Sequence, residues 1–149
     1  MNGMIESLAP RPVVTATPDE DVQSVARKMR DGHVGCVVVV EGRRPVGIVT
    51  DRDLTLRVLA EYPSGRAALA SIPVAQVMTI DPATLPEGSG VDAALRAMRS
   101  AGTRRLPVVD PDGHLVGIVS HDDLLIVFAR ELGELGEGIE SAVDAPELR

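Results

Sequence analysis

Two pairs of a hydroxyl and a carboxylate side chain share one spacing and one local context. Thr50-x-x-Asp53 and Ser120-x-x-Asp123 each follow an apolar run that predicts a strand and each open a predicted helix. Unpaired backbone N–H groups and the helix dipole favour an anion at such a point. The hydroxyl can donate to an anionic oxygen, and the carboxylate can accept two hydrogen bonds from a diol. The same spacing also suits a helix cap that requires no ligand, so both interpretations stay open.

No other set of residues predicts catalysis or metal binding. His33, His114 and His121 match no metal-ligand spacing, and the run from His121 to Asp123 is typical of a solvated helix start. No nucleophile has a base at a recognisable spacing, and no glycine-rich phosphate loop is present. We therefore expect a non-catalytic protein without a metal or a catalytic cofactor.

The two pairs belong to two copies of an internal repeat. At an offset of 69 residues Thr15 meets Thr84, and at an offset of 70 residues 46–50 meet residues 116–120. Each copy predicts the order β-α-β-β-α, and the first helix is expected to have Thr17 as N-cap with Glu20 closing a capping box. The prediction is an α/β fold in which the sheets of two small halves cover each other about a pseudo-two-fold axis, with two clefts along the interface.

The predicted organisation has three parts. Residues 1–72 form the first repeat with its linker, which is broken at residues 63–65, and residues 73–129 form the second repeat. Residues 130–149 are acidic and contain three glycines, so we expect a flexible tail that is frayed or disordered. The helical spacing of Leu132, Leu135 and Ile139 leaves a docked helix as the alternative.

Several ordered motifs resemble CBS domains, the family named after cystathionine β-synthase. Residues 47–54 and 117–124 look like its signature, residues 105–110 resemble its second landmark, and residues 74–79 resemble its lead-in. The resemblance covers roughly residues 4–128 and occurs twice in order, as in a Bateman module, and the chain looks most like small stand-alone bacterial members. It implies regulation by an adenosyl ligand such as AMP, ADP, ATP or S-adenosylmethionine, and it does not imply catalysis.

The resemblance also implies where the ligand binds. The family motif runs glycine, an apolar residue, any residue, Ser or Thr, two residues of any kind and then Asp. Its hydroxyl faces phosphate, and its Asp holds the ribose. Both repeats match the motif, and Gly47 and Gly117 would let the ligand approach the strand. Adenine would need an apolar slot beside the first strand and the start of the second, where ordinary core packing is the alternative for every residue. The expected ligand-binding residues are Thr50, Asp53, Arg52, Arg104, Arg105, Ser120 and Asp123, with Val14, Thr15, Ala16, Val34, Ala83, Thr84, Leu85 and Thr103 around the slot.

Composition narrows the partners. The formal net charge of −7 disfavours a nucleic-acid partner, and the single lysine, Lys28, leaves arginine to bind phosphate. The absence of a leader-like or membrane-spanning stretch and the single cysteine, Cys36, favour a soluble, cytoplasmic protein without a membrane partner. A ligand-free scaffold that dimerises or holds an unknown regulated protein is the alternative function.

Two further expectations concern assembly and asymmetry. Apolar residues on the second helix of each repeat predict a homodimer, through Leu54, Val58, Leu124 and Leu125. The two clefts are expected to differ because Arg52 in the first motif is replaced by Asp122 in the second. If Arg104 and Arg105 reach across to the other repeat, phosphate should bind beside Thr50 and Asp53.

Overall fold

The computed structural model describes residues 13–62 and 66–144 as a mixed α/β fold of two similar halves. The first half contains β1 (Thr15–Ala16), α1 (Val22–Gly32), β2 (Cys36–Glu41), β3 (Arg44–Thr50) and α2 (Asp51–Leu54), which continues as a turn of π-helix (Thr55–Leu59). Then follow α3 (Arg66–Leu69), a 3₁₀ turn (Val74–Gln76) and β4 (Thr79–Ile80). The second half contains β5 (Leu85–Pro86), α4 (Val91–Ala101), β6 (Arg105–Val109), β7 (Leu115–Ser120) and α5 (His121–Asp144).

The two sheets confirm the predicted repeat. β1 is parallel to β2, which is antiparallel to β3, and β5, β6 and β7 pair in the same way. Both hairpins have a register shift near the end of their first strand, between Val39 and Val40 in β2 and between Val108 and Val109 in β6. The halves also meet at their hairpins, because the Leu115 N–H donates to the Arg43 carbonyl at 2.8 Å.

Valine-rich strands form the core of each half. Val37 and Val39 lie in the first core cluster, and Leu106 and Val108 lie in the second. Since side chains alternate along a strand, Val38 and Pro107 point to the opposite faces, and both are buried. Each sheet is therefore covered on both faces, as expected for two sheets that pack on each other about a pseudo-two-fold axis.

The segment between the repeats completes the first half. β4 pairs with β3 as the fourth strand of the first sheet, and Val74 and Val77 belong to the first core cluster. The Val74 N–H also donates to the Glu20 carbonyl at 2.7 Å, which ties this segment to the start of α1. The first core thus reaches past the expected boundary between residues 72 and 73. The expected break at residues 63–65 lies outside the described residues.

The predicted start of α1 is wrong. Its N-cap is Asp21, whose carboxylate accepts hydrogen bonds from the Ser24 N–H at 2.9 Å and the Ser24 hydroxyl at 2.8 Å. Residues 17–20 form a separate turn, in which the Glu20 carboxylate accepts from the Thr17 N–H at 2.6 Å. This bond imitates half of a capping box, and so the turn has the sequence signature of a helix start.

The expectation that the chain frays after residue 130 is wrong for the described residues. α5 is 24 residues long and continues to Asp144, so the helix of the alternative is observed. Its docking is not, because Leu132, Leu135 and Ile139 are exposed. Within residues 13–62 and 66–144, no helix is long and apolar enough to cross a membrane.

Candidate ligand-binding cleft

Thr50 and Asp53 form a complete capping box at the start of α2. The Asp53 Oδ2 accepts from the Thr50 N–H at 2.9 Å, and the Thr50 hydroxyl oxygen accepts from the Asp53 N–H at 3.1 Å. A hydroxyl that accepts one bond keeps its own hydrogen for another oxygen, and a carboxylate has more than one lone pair. The cap therefore fixes both side chains in place and leaves donor and acceptor capacity for a ligand.

Ser120 and Asp123 repeat this geometry at the start of α5. The Ser120 N–H donates to the Asp123 Oδ2 at 2.9 Å, and the Asp123 N–H donates to the Ser120 hydroxyl oxygen at 3.1 Å. The capping interpretation of the two motifs is thus correct in both halves. Because the cap uses only part of each group's capacity, it is compatible with ligand binding.

The two carboxylates differ in accessibility and surroundings. Asp123 is buried, whereas Asp53 is only partly buried. The Arg57 Nε lies 3.7 Å from the Asp53 Oδ1, and the residue at the matching position of the second repeat is Val127. The sequence analysis did not predict a role for Arg57, although its position four residues after Asp53 on one helix could have indicated this pair. The first motif is therefore more open, and its helix carries two arginines, Arg52 and Arg57, where the second has Asp122 and Val127.

Arg105 reaches from the second half to the first. Its Nη2 lies 3.3 Å from the point that a Cβ would occupy at Gly35, and the Asp51 Oδ2 lies 3.4 Å from the same point. Burial raises the pKa of the Cys36 thiol, and the nearby Arg105 guanidinium acts in the opposite direction. Gly35 leaves the space that allows the guanidinium to approach the start of β2. This places one of the two expected arginines beside the first motif.

Arg104 and Arg105 also border a small polar cavity of about 100 Å³. Its other walls are Ser120, His121 and Asp122, from the motif of their own repeat. Arg104 itself is exposed, and its carbonyl accepts from the His121 N–H at 2.8 Å. The arginine pair thus lies between the two motifs. Arg52, the remaining expected arginine, is exposed on the first turn of α2.

The residues expected around adenine lie at the edges of the two sheets. Ala16 and Leu85 are only 2% exposed and belong to the two cores, so the core-packing alternative accounts for both. The Thr15 carbonyl accepts from the Lys28 Nζ at 2.9 Å. The remaining residues have some exposed surface; Val14, Val34 and Thr103 are partly buried, and Ala83 and Thr84 are exposed.

Gly47 has a structural neighbour where close approach of a ligand was expected. A Cβ at Gly47 would overlap the Met78 Sδ, so this face of β3 is occupied by the segment that carries β4. Glycine at this position leaves room for the Met78 side chain, so packing within the first half also accounts for it.

A separate cluster occurs on the turn between β6 and β7. Carboxylate oxygens of Asp110 and Asp112 and a ring nitrogen of His114 lie within 4.8 Å of one another. The Asp110 Oδ1 accepts from the backbone N–H groups of Asp112 at 3.0 Å and His114 at 2.8 Å, and the bond from His114 is the main reason that the pKa of Asp110 is lowered. These bonds are those of an Asx turn, and they account for the cluster.

Comparison with known proteins defines the class. The family model described as CBS domain matches residues 5–60 and 74–130, and the chain belongs to this family as a tandem pair of CBS domains. It is 36% identical over 124 residues to an uncharacterized protein of Methanopyrus kandleri, which covers 83% of this chain and 61% of that protein. The chain therefore spans less than two thirds of that relative.

Two further matches cover most of both proteins. A CBS domain-containing protein of Bacillus subtilis is 34% identical over 114 residues, which is 76% of this chain and 77% of that protein. The structure of a CBS domain protein from Pyrobaculum aerophilum complexed with AMP has a TM-score of 0.70 and 27% identity, and the match covers 84% of this chain and 97% of that chain. The family and this similarity support a regulatory, ligand-binding module.

Proposed function

We propose that the chain is a non-catalytic sensor that binds an adenosine-containing ligand, such as AMP, ADP, ATP or S-adenosylmethionine, between its two halves. The supporting observation is the capped hydroxyl–carboxylate pair at Thr50 and Asp53, with the Arg105 guanidinium beside it. A preordered carboxylate suits a ribose diol, and a guanidinium suits a phosphate. The AMP-bound relative from Pyrobaculum aerophilum is consistent with this choice of ligand.

Thermal denaturation with a panel of AMP, ADP, ATP, NAD and S-adenosylmethionine tests the proposal. A ligand that binds only the folded chain increases the free energy of unfolding by about 2.7 kcal/mol at 100 times Kd, and it therefore raises the melting temperature. IMP, which differs from AMP only in its base, is the matched control for adenine recognition at the same concentration. If no adenosyl compound raises the melting temperature, the alternative of a ligand-free scaffold is supported instead.

The two clefts are proposed to be unequal, with phosphate bound beside the first motif. Asp53 is more accessible than Asp123, and Arg57 pairs with Asp53; Arg105 approaches the first motif at Gly35 and also borders the cavity of the second. Each motif has two aspartates, but the second carries Asp122 where the first has Arg52, and so it lacks that positive charge beside a phosphate. The second cleft is therefore proposed to be empty or to take a ligand with little phosphate.

Calorimetric titration of ATP into two matched variants tests this asymmetry. Asp53→Asn and Asp123→Asn each remove one charge and keep an oxygen that can accept the capping hydrogen bond. We expect Asp53→Asn to weaken ATP binding strongly and Asp123→Asn to leave it near the wild-type value. Equal losses or the reverse order would place the phosphates in the other cleft.

A homodimer is part of the proposed function, but three of the four residues expected at its contact are used within the chain. Val58 and Leu124 are 3% and 1% exposed and Leu54 packs against the first core, so these three stabilise the halves themselves. Of the residues expected at the contact, Leu125 is available at 55% exposed. Leu56, which was not among them, is 49% exposed on the first half. Light scattering in dilute solution tests the assembly, and a monomer mass would exclude it.

A further inference from the structure

Arg57 forms a bridge between the Asp53 carboxylate and the segment that leads into the second repeat. Its Nη1 donates to the Val77 carbonyl at 2.9 Å, and its Nε lies 3.7 Å from the Asp53 Oδ1. Val77 is well fixed, because its side chain belongs to the first core cluster and its N–H donates to the Val74 carbonyl at 3.0 Å. The guanidinium is therefore anchored on an ordered backbone carbonyl and held beside the carboxylate.

The helix changes its winding where Arg57 lies. Residues Thr55–Leu59 form a turn of π-helix, which is closed by a hydrogen bond from the Ala60 N–H to the Thr55 carbonyl at 3.1 Å. Turns of this kind are rare and are often found at functional sites. The matching residues 125–129 of the second repeat lie within the α-helix α5. The altered winding is thus a feature of the first repeat, at the residue that faces Asp53.

The helix cap holds only one of the two Asp53 carboxylate oxygens. The Oδ2 accepts from the Thr50 N–H at 2.9 Å, whereas the side-chain torsion that places the Oδ1 has a broad range in aspartate. The Arg57 Nε beside the Oδ1 restrains this torsion by charge attraction. At 3.7 Å the contact is an ion pair rather than a hydrogen bond, so the Oδ1 keeps its lone pairs for another donor.

We propose that Arg57 is a positioning residue that orients the Asp53 carboxylate for a ribose diol. The inference rests on the proposed function, because it requires an adenosine-containing ligand in the first cleft. A side chain that is ordered before binding loses no rotational freedom when the ligand arrives, and this increases affinity. The first cleft should therefore select ligands that carry both ribose hydroxyls, and Arg57 should contribute to this selection through Asp53 rather than through the phosphate.

Exposure and the second repeat both favour positioning over a purely structural role. The Arg57 side chain is 49% exposed, and an exposed ion pair contributes little to the stability of a fold. The second repeat has Val127 at the matching position, and a valine side chain has no donor to orient Asp123 in this way. Selection for the ribose diol should thus be a property of the first cleft.

Calorimetry of the full chain with two ligands separates positioning from charge. AMP carries the diol, and 2′,3′-dideoxy-AMP has the same base and phosphate without it. Arg57→Gln should bind AMP about three to ten times more weakly than the wild type, the affinity lost when one side chain must be ordered on binding. It should bind dideoxy-AMP as the wild type does. Equal weakening of both ligands would show that Arg57 acts on the phosphate or on the fold, and would overturn the inference.

Two matched variants complete the test. Arg57→Lys keeps the charge, but one ammonium lacks the fixed fork that holds both the Val77 carbonyl and the carboxylate, so AMP affinity should stay reduced; full rescue by lysine would contradict positioning. Arg99→Gln removes one charge from the exposed last turn of α4 and should bind both ligands as the wild type does. Circular dichroism verifies that each variant is folded.

The wild type separates this inference from the proposed function. A wild type that binds neither ligand would overturn both. A wild type that binds AMP no better than dideoxy-AMP, or an Arg57→Gln variant with unchanged AMP affinity, would overturn the role of Arg57 and leave the proposed sensor function in place.

Discussion

Arg105→Gln removes the charge that the second half places against the first motif. The Arg105 Nη2 lies 3.3 Å from the Cβ position of Gly35, close enough to the start of β2 to meet a phosphate held beside Thr50. A hydrogen bond to a charged group contributes about 1.5–3 kcal/mol. The Asp51 Oδ2, 3.4 Å from the same position, repels the phosphate and favours the lower end of this range. We expect AMP to bind roughly tenfold more weakly to the variant.

Adenosine provides the control, because it has the ribose and the base but no phosphate. Calorimetry should give the same adenosine affinity for Arg105→Gln as for the wild type. All titrations use one ionic strength, because interactions between exposed charges depend on salt. If adenosine is weakened as much as AMP, Arg105 acts through the fold rather than through phosphate. Unchanged AMP affinity would show that Arg105 does not contact the ligand.

The same variant reports on Cys36. The positive charge of Arg105 lowers the pKa of the Cys36 thiol against the larger effect of burial. Its removal should raise this pKa further, and alkylation by iodoacetamide should slow because the thiolate is the reactive form. A faster reaction would contradict the position of the Arg105 guanidinium beside β2.

Two stability predictions follow from the first half. Gly47→Ala should destabilise the chain by about 1–3 kcal/mol in urea denaturation, because the added methyl group overlaps the Met78 side chain. Gly133→Ala is the control. Its added methyl group meets nothing within 4 Å, and it should not destabilise the chain. Hydrogen bonds from Ser24 lower the pKa of the Asp21 carboxyl in the folded state. The ionised carboxylate therefore stabilises the fold above the ordinary Asp pKa of about 4, and this stabilisation is lost as the pH falls through the lowered value. Asp21→Ala should cost about 1 kcal/mol at pH 7, and this difference from the wild type should shrink in acid; a cost that is independent of pH would contradict the cap.

The repeat made most of the fold predictable. Two copies of an apolar run followed by Thr50-x-x-Asp53 or Ser120-x-x-Asp123 predict the paired β-α-β-β-α halves, since each small sheet needs a cover. The pairing of β4 with β3 was not predictable, because two residues such as Thr79 and Ile80 carry no signal of which sheet they join. Partner strands are chosen by tertiary packing, which local patterns do not record.

The errors in the helices have local causes. The Glu20 carboxylate holds the Thr17 N–H in a turn with the composition of a helix cap, and the true cap follows at Asp21. After residue 130, glycines and acidic residues predict fraying, yet the apolar spacing of Leu132 and Leu135 continues the helix. In both places two local signals conflicted, and composition was the less reliable of the two.

The candidate site was only partly predictable for a different reason. The hydroxyl–carboxylate pairs are local in sequence, and so is the ion pair of Arg57 with Asp53. The approach of Arg105 to Gly35 and the burial of Asp123 depend on how the two halves pack. The difference in charge between the motifs is therefore visible in the sequence, whereas the difference in accessibility requires the structure.

A crystal structure of the chain grown with AMP tests the central claim most directly. The account predicts a nucleotide between the halves, with its ribose hydroxyls on the Asp53 carboxylate and its phosphate near Thr50 and Arg105. A cleft without nucleotide at saturating AMP, or AMP bound only on an outer surface, would contradict it.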